Sequence, residues 1–214
     1  MGKNKKKPLV YISYATKDTP YVDELNTHLL PTLKKFDLNY DIEYPANRGN
    51  WQANTGYKSE FILKMLEKHK RPVIFLDADA EIWKYPGLFE NISNKYDLGV
   101  HILDWGWVWH KKHINKKELL SGTMYIPYKE KTLEIIKEWI IEVKDNSSQW
   151  EQRVLHNVVD NHPELYIFHL PFEYITFPNH KNELPLHAVK KEDVVIYHTQ
   201  ASRRLKNWRA NENR

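Results

Sequence analysis

Asp77 and Asp79 stand two residues apart, directly after the apolar run Val73-Ile74-Phe75-Leu76. Carboxylates are hard oxygen ligands. Two that converge suit Mg²⁺ or Mn²⁺, ions that readily bridge phosphate oxygens. On an extended chain, residues two apart point the same way, so the pair is predicted to face one site. His198 ends a second apolar run, Val194-Val195-Ile196-Tyr197, and is a third candidate ligand. Ser202, Arg203, Arg204 and Lys206 follow it and supply donors suited to a diphosphate. Glu151, in Trp150-Glu151-Gln152, is placed to act as a base toward an acceptor hydroxyl or to hold that hydroxyl. A glutamate there also simply favours a helix N-terminus. Asp-x-Asp is short, and aspartate is a common turn and cap residue, so the motif takes its weight from the elements around it.

Those elements read as alternating strands and helices. Pro8–Tyr14 is predicted as a first strand. Asp18 or Thr19 is expected to cap a helix that opens at Pro20, with Pro31 kinking or dividing it. Leu38–Tyr44 reads as a second strand and Thr55–Lys68 as a helix with Phe61, Ile62, Met65 and Leu66 on its apolar face. Pro72 then stops the chain before the buried strand that ends at Asp77. This order predicts a parallel, three-layer α/β sheet, and ligands of such sheets bind beyond the carboxyl ends of the strands. Further strands are expected over 97–102, 118–127 and 194–198, helices over 130–143 and 149–159, and extended segments over 165–170 and 172–177. Gly122 permits close approach of another chain or a ligand.

Trp105, Trp107 and Trp109 alternate. If the stretch is extended, the three indoles share a face that can stack on a sugar or a nucleobase. His110, Lys111, Lys112 and His113 follow and would add phosphate affinity; the competing reading is a Trp-rich hinge or interface. The net charge of +4 is concentrated at the ends, in Lys3, Lys5, Lys6 and Lys7, and in Arg203, Arg204, Lys206, Arg209 and Arg214. A chain of 214 residues with 41% hydrophobic and 28% charged side chains reads as one globular domain: a basic tail (1–7), two halves (8–100 and 101–200) and a basic C-terminal segment (201–214). The absence of cysteine excludes disulfides and thiolate metal sites. No apolar run approaches a membrane span, and the expected location is the cytoplasm of a bacterial or phage-infected cell.

Taken together, the pattern resembles the nucleotide-diphospho-sugar glycosyltransferases of GT-A type. The motifs are Asp77-Ala78-Asp79 with Glu81-Ile82-Trp83 and Pro86; Tyr57-Lys58-Ser59-Glu60-Phe61-Ile62; Ser121-Gly122-Thr123-Met124-Tyr125; Glu151-Gln152; and His198 with its downstream cations. The order covers roughly residues 8 to 206. It departs from the family at Gln200-Ala201-Ser202, where Gly and Pro are frequent. The resemblance implies a GT-A fold with a Rossmann-like, mostly parallel sheet. Residues 8–100 would bind the nucleotide sugar, a UDP-hexose above all, and 101–200 the acceptor. It implies a metal held by Asp77, Asp79 and His198, with Asp79 the more direct ligand. Tyr14, Thr16, Lys58, Arg203 and Lys206 would lie at the donor, and Ser121, Gly122, Gln152 and the three indoles at the acceptor. Asp77, Asp79 and Glu151 would carry the chemistry.

The acceptor expected from basic ends and a Trp-rich stretch is DNA bearing a 5-hydroxymethylpyrimidine, as in the base-glucosylating enzymes of bacteriophages. The alternatives are a cell-surface glycan or glycolipid, and a GT-A-like binding module without turnover. A nucleotidyltransferase is disfavoured, because Tyr11–Asp18 has no glycine for a phosphate loop.

Overall fold

The computed structural model describes residues 9–108, 115–179, 181–186 and 188–205. Trp109, Lys206, the lysines and histidines of 110–113 and the basic N-terminal tail lie outside the described residues.

In chain order the elements are β1 (Val10–Tyr14), α1 (Tyr21–Glu24), a π-helical stretch (Leu25–Leu29), α2 (Leu30–Lys35), β2 (Tyr40–Glu43), α3 (Trp51–His69), β3 (Val73–Leu76), β4 (Ala80–Ile82), β5 (Leu98–Asp104), α4 (Trp105–Val108), β6 (Lys117–Ile126), α5 (Glu130–Asp145), α6 (Glu151–Asp160), β7 (Ile167–His169), β8 (Ile196–His198) and α7 (Ala201–Arg204). Six strands form one sheet in the order β2-β1-β3-β6-β5-β7. The pairings β1–β2, β1–β3 and β5–β7 are parallel; β6 runs antiparallel to both β3 and β5. The β-α-β-α-β opening thus builds the parallel unit that its alternation predicts.

The sheet is the middle of three layers. On one face α3, α5 and α6 cover the core, where Phe61, Met65, Trp139 and Leu155 pack on Ile12, Phe75 and Met124. Burying each such side chain contributes about 1.5–3 kcal/mol. On the other face Leu29, Leu33, Ile82, Phe89 and Ile196 cover Tyr11, Ile74 and Leu76.

That second layer holds the main differences from expectation. The stretch 194–198 does not join the main sheet. Its last three residues form β8, which pairs antiparallel with β4, setting His198 opposite Ala80. Pro31 divides its helix as expected: it occupies the first turn of α2, directly after the π-helical stretch, because its missing N–H breaks the normal ladder. Neither Asp18 nor Thr19 caps α1 with its side chain. Pro20 holds the cap position, and the Thr19 hydroxyl donates instead to the Thr16 carbonyl at 2.7 Å. Phe172–Tyr174 is a 3₁₀ turn after Pro171, not an extended segment.

Candidate active site

β3 is buried at every residue and ends at the carboxyl edge of the sheet. Beyond it the chain does not stay extended. Asp77 to Asp79 form a tight turn, closed by the Ala80 amide donating to the Asp77 carbonyl at 3.0 Å. The two carboxylates converge through this turn rather than through strand alternation. β4 follows, and β8 returns beside it. One ligand atom each from Asp77, Asp79 and His198 therefore lies within 4.8 Å of the others.

The surroundings hold these groups in place. His198 is buried, and its Nε2 meets Thr123 Oγ1 at 2.9 Å. Its Nδ1 lies 3.5 Å from Asp79 Oδ1, too long for a strong hydrogen bond. Asp79 Oδ2 accepts from the Ala201 amide at 2.8 Å. Gln200, at φ 58°, turns the chain so that this amide points inward. Gly122 completes the cradle: a Cβ there would lie 3.0 Å from His198 Cε1 and 3.1 Å from Asp77 Oδ2. Two carboxylates and an imidazole around a gap left by glycine fit Mg²⁺ or Mn²⁺. Thr123 and the Ala201 amide are the outer partners that orient such ligands.

The two aspartates are driven apart electrostatically. Desolvation, joined by the Asp79 charge, raises Asp77 above the usual carboxylate range against the opposing pull of Lys58. Burial also acts to raise Asp79, but His198 and the Ala201 amide outweigh it and hold that group below the usual range. Asp79 therefore carries the more persistent negative charge.

Lys58 joins this centre to Glu151. Its Nζ lies 2.9 Å from Asp77 Oδ1, 2.9 Å from Glu151 Oε1 and 3.0 Å from Ser121 Oγ. An ammonium has three protons, and here each has an acceptor. Burial alone would lower Lys58, but the two carboxylates outweigh it and hold the ammonium above its ordinary value. The side chain thus ties two carboxylates and a hydroxyl together beneath the cleft, where the family resemblance implied a contact with the donor. Tyr14 lies beside it, its hydroxyl donating to the Asn54 carbonyl at 2.9 Å, and burial pushes its phenol well up.

A cleft of about 980 Å³ opens above these groups. Tyr14, Thr16, Lys58, Asp77, Asp79, Trp105, Ser121, Gly122, Glu151, Gln152, His198 and Arg203 all line it, so most residues singled out in the sequence meet in one place. Gln152 Oε1 accepts from the Ser121 amide at 3.0 Å, and its Nε2 donates to Glu118 at 2.8 Å. Arg203 donates to the Pro178 carbonyl at 3.2 Å.

The indoles are arranged otherwise than expected. Trp105–Val108 is a helical turn, started by Asp104, whose carboxylate accepts the Trp107 amide at 2.9 Å. Trp105 and Trp107 therefore do not share a face. Trp105 lines the cleft and donates from its indole to Glu118 at 2.8 Å, while Trp107 is not among the lining residues. The sequence reading did not single out Glu118, Lys116 or Trp51, and it left Trp150 without a role. Glu118, Leu120 and Gly122 alternate along β6 and line one wall, a signal that appears once the strand is fixed.

No protein-family model and no curated protein matches the chain. Among solved structures it is similar to a glycosyltransferase involved in glycosylation of the major capsid of PBCV-1, with TM-score 0.65 and 17% identity over 94% of this chain and 98% of that one. It is also similar to mouse xyloside xylosyltransferase 1, with TM-score 0.56 and 12% identity over 92% of this chain and 99% of that one. A third similar structure is the galactosyltransferase LgtC, solved with donor and acceptor sugar analogs, with TM-score 0.54 and 10% identity over 89% and 87%. At these identities the likeness shows the fold, which is GT-A.

Proposed function

We propose that this protein is a metal-dependent glycosyltransferase that moves a sugar from a nucleotide-diphospho-sugar, a UDP-hexose first, to an acceptor hydroxyl. The observation that carries the reading is the convergence of Asp77, Asp79 and His198 at the floor of a cleft, at the carboxyl edge of β3 in a GT-A fold. Residues 8–100 hold the nucleotide, and 101–200 face the acceptor.

Breaking a sugar–phosphate bond places negative charge on the departing nucleoside diphosphate. A bound divalent cation, held by Asp77, Asp79 and His198, would supply electrostatic stabilisation of that charge. The chain's own residues do the rest. Tyr14 and Thr16 lie along the first strand's end for the nucleotide, and Arg203, from α7, brings a fixed cation to the cleft. Lys58 keeps Asp77 and Glu151 in register. Ser121, Gln152 and Glu151 present the polar wall that orients the acceptor hydroxyl.

The acceptor we favour is a saccharide hydroxyl. The DNA reading drew on the basic ends and on indoles sharing one face, and the helical turn at Trp105 removes the second of these. Among the described residues the cleft also carries more acid than fixed cation: Asp77, Asp79, Glu118 and Glu151 against Lys58, Lys116 and Arg203. That balance does not favour a polyphosphate backbone inside it.

The test is donor hydrolysis across a panel of UDP-, GDP- and CMP-sugars, with Mn²⁺, Mg²⁺ or chelator, alongside the Asp79→Ala variant. Slow metal-dependent release of nucleoside phosphate, lost in Asp79→Ala, is expected. No release from any donor, with a donor-induced rise in thermal midpoint, rejects the enzyme and leaves a binding module; no release and no rise rejects both. Adding oligosaccharides or hydroxymethylpyrimidine duplexes then separates the two acceptor classes.

A further inference from the structure

Resting on that reading, we infer that Trp150 is the stacking platform for the acceptor, and that this acceptor is a saccharide with a second sugar ring beyond the reacting one. The described residues hold several large apolar side chains that remain exposed: Tyr40, Tyr85, Trp107, Tyr128, Ile141, Trp150, Tyr166 and Leu186. Of these, Trp150 is the one that lines the cleft. It keeps 55% of its surface open. It also directly precedes Glu151, so whatever rests on the indole lies beside the polar wall.

The indole is held in place rather than trailing in solvent. Trp150 is the N-cap residue of α6, in extended backbone, and its carbonyl accepts the amides of Arg153 at 2.9 Å and Val154 at 3.1 Å. Its ring meets Trp51 edge to face, with centroids 6.1 Å apart and planes at 86°. Trp51 is fixed in turn, since its indole nitrogen donates to the Tyr21 hydroxyl at 3.0 Å. Asn50 caps α3 just before it, accepting the Ala53 amide at 2.8 Å. Two helix starts thus bring two indoles together at the cleft wall, and the pair presents a rigid aromatic surface at low entropic cost.

The chemistry of the neighbours selects the ligand. An aromatic face accepts the C–H face of a pyranose, and hydroxyls around such a ring need mixed donors and acceptors. Gln52, Thr55, Glu118 and Gln152 line the same cleft and supply them. A nucleobase could stack as well, but its flanking phosphates need unshared cations. Among the described lining cations, Lys116 is committed to Glu118 at 2.9 Å, Lys58 to two carboxylates, and Arg203 is the one assigned above to the donor.

Binding can be read without turnover. Methyl β-galactoside, cellobiose, lactose and maltose are titrated by saturation-transfer NMR into the wild-type protein, Trp150→Ala, Trp150→Phe and Trp107→Ala. Trp107, also 55% exposed, does not line the cleft and serves as the comparison. The disaccharides are expected to bind better than the monosaccharide. Trp150→Ala should weaken them roughly tenfold or more, and Trp150→Phe should restore much of the loss. An equal loss in both alanine variants, no loss in Trp150→Ala, or no saccharide signal at all would overturn the assignment. So would a Trp150-dependent signal seen with a hydroxymethylcytosine duplex and not with sugars. Because no donor is present, failure here is distinct from failure of the donor-hydrolysis test.

Discussion

Two clusters of buried or part-buried carboxylates lie at opposite ends of the main sheet, and they are built on opposite rules. Asp97 precedes β5 and is only 4% exposed. One of its oxygens takes Lys129 Nζ at 2.6 Å; the other takes the Tyr166 amide at 3.0 Å and has Lys131 at 3.7 Å. The Thr132 hydroxyl closes the group onto the Asp97 carbonyl at 2.8 Å. At the other end, Asp77, Asp79 and His198 crowd within 4.8 Å, and the Lys58 ammonium beside Asp77 is shared with Glu151. The first cluster is complete in charge and hydrogen bonding. The second holds like charges together around a gap, an arrangement that costs stability until a cation arrives. A structural carboxylate and a functional one can thus be told apart by what surrounds them, although both are aspartates at strand ends.

The largest break in this contrast should come from Asp79→Asn. Turnover is expected to fall on the order of 10²–10³-fold, the range for removing one preorganised electrostatic group. The thermal midpoint without metal should fall only modestly, since His198 and the Ala201 amide favour the ionised Asp79 while its burial opposes it. Chemical denaturation and donor hydrolysis on the same sample check both. A large loss of stability would place Asp79 with the structural kind.

Lys58→Met is expected to damage both properties. Removing one partner of a buried ion pair costs about 3–5 kcal/mol, and the lower end applies here because Asp77 remains open to the cleft. If Lys58 instead contacts the donor, the variant would raise the donor KM and leave stability almost unchanged. Gly122→Ala is a smaller perturbation. Its methyl would sit 3.0 Å from His198 and 3.1 Å from Asp77, so the ligands must shift by a few tenths of an ångström. A roughly tenfold loss of activity, with a weaker metal dependence, is expected. Activity equal to wild type would show that the cradle has room to spare.

How much of this was legible in the sequence depended on how far apart the partners lie. β3 and Asp77 could be read because a continuous apolar run bounded by Pro72 is a local signal. The helix α3 and its apolar face were legible for the same reason. The small β4–β8 sheet was not: each strand has three residues, and each makes sense only beside the other. Asp77 and Asp79 were correctly paired for a mistaken reason, since a turn and not a strand brings them together. The resemblance puts Lys58 at the donor; its ties to Asp77, Ser121 and Glu151 were not legible, because these three acceptors come from three separate parts of the chain. At Trp105–Trp107 the alternation of indoles outweighed a cap signal in plain view, Asp104 just before them.

The smallest expected effect sharpens the comparison most, because Asp97 and Asp77 should answer acid with opposite signs. Burial acts to raise Asp97, but Lys129, the Tyr166 amide and Lys131 outweigh it and hold the group below the usual range. Between its folded and unfolded values the unfolded chain binds more protons, so Asp97 contributes stability above the unfolded value of about 3.9 and loses it as pH falls through the folded one. Asp97→Asn should therefore cost about 1–2 kcal/mol at pH 7, with activity intact, and the gap to wild type should close on acidification from about pH 5 toward 3. Asp77 is raised instead, so in that range the folded state binds the extra proton and gains stability as pH falls. Asp77→Asn should remove this gain, and its advantage over wild type at neutral pH, without metal, should shrink in acid. Urea melts of the three proteins at pH 7, 5 and 4 read both slopes. Parallel slopes for the two variants would mean that the clusters are electrostatically alike, and the distinction between the closed aspartate and the open one would fail.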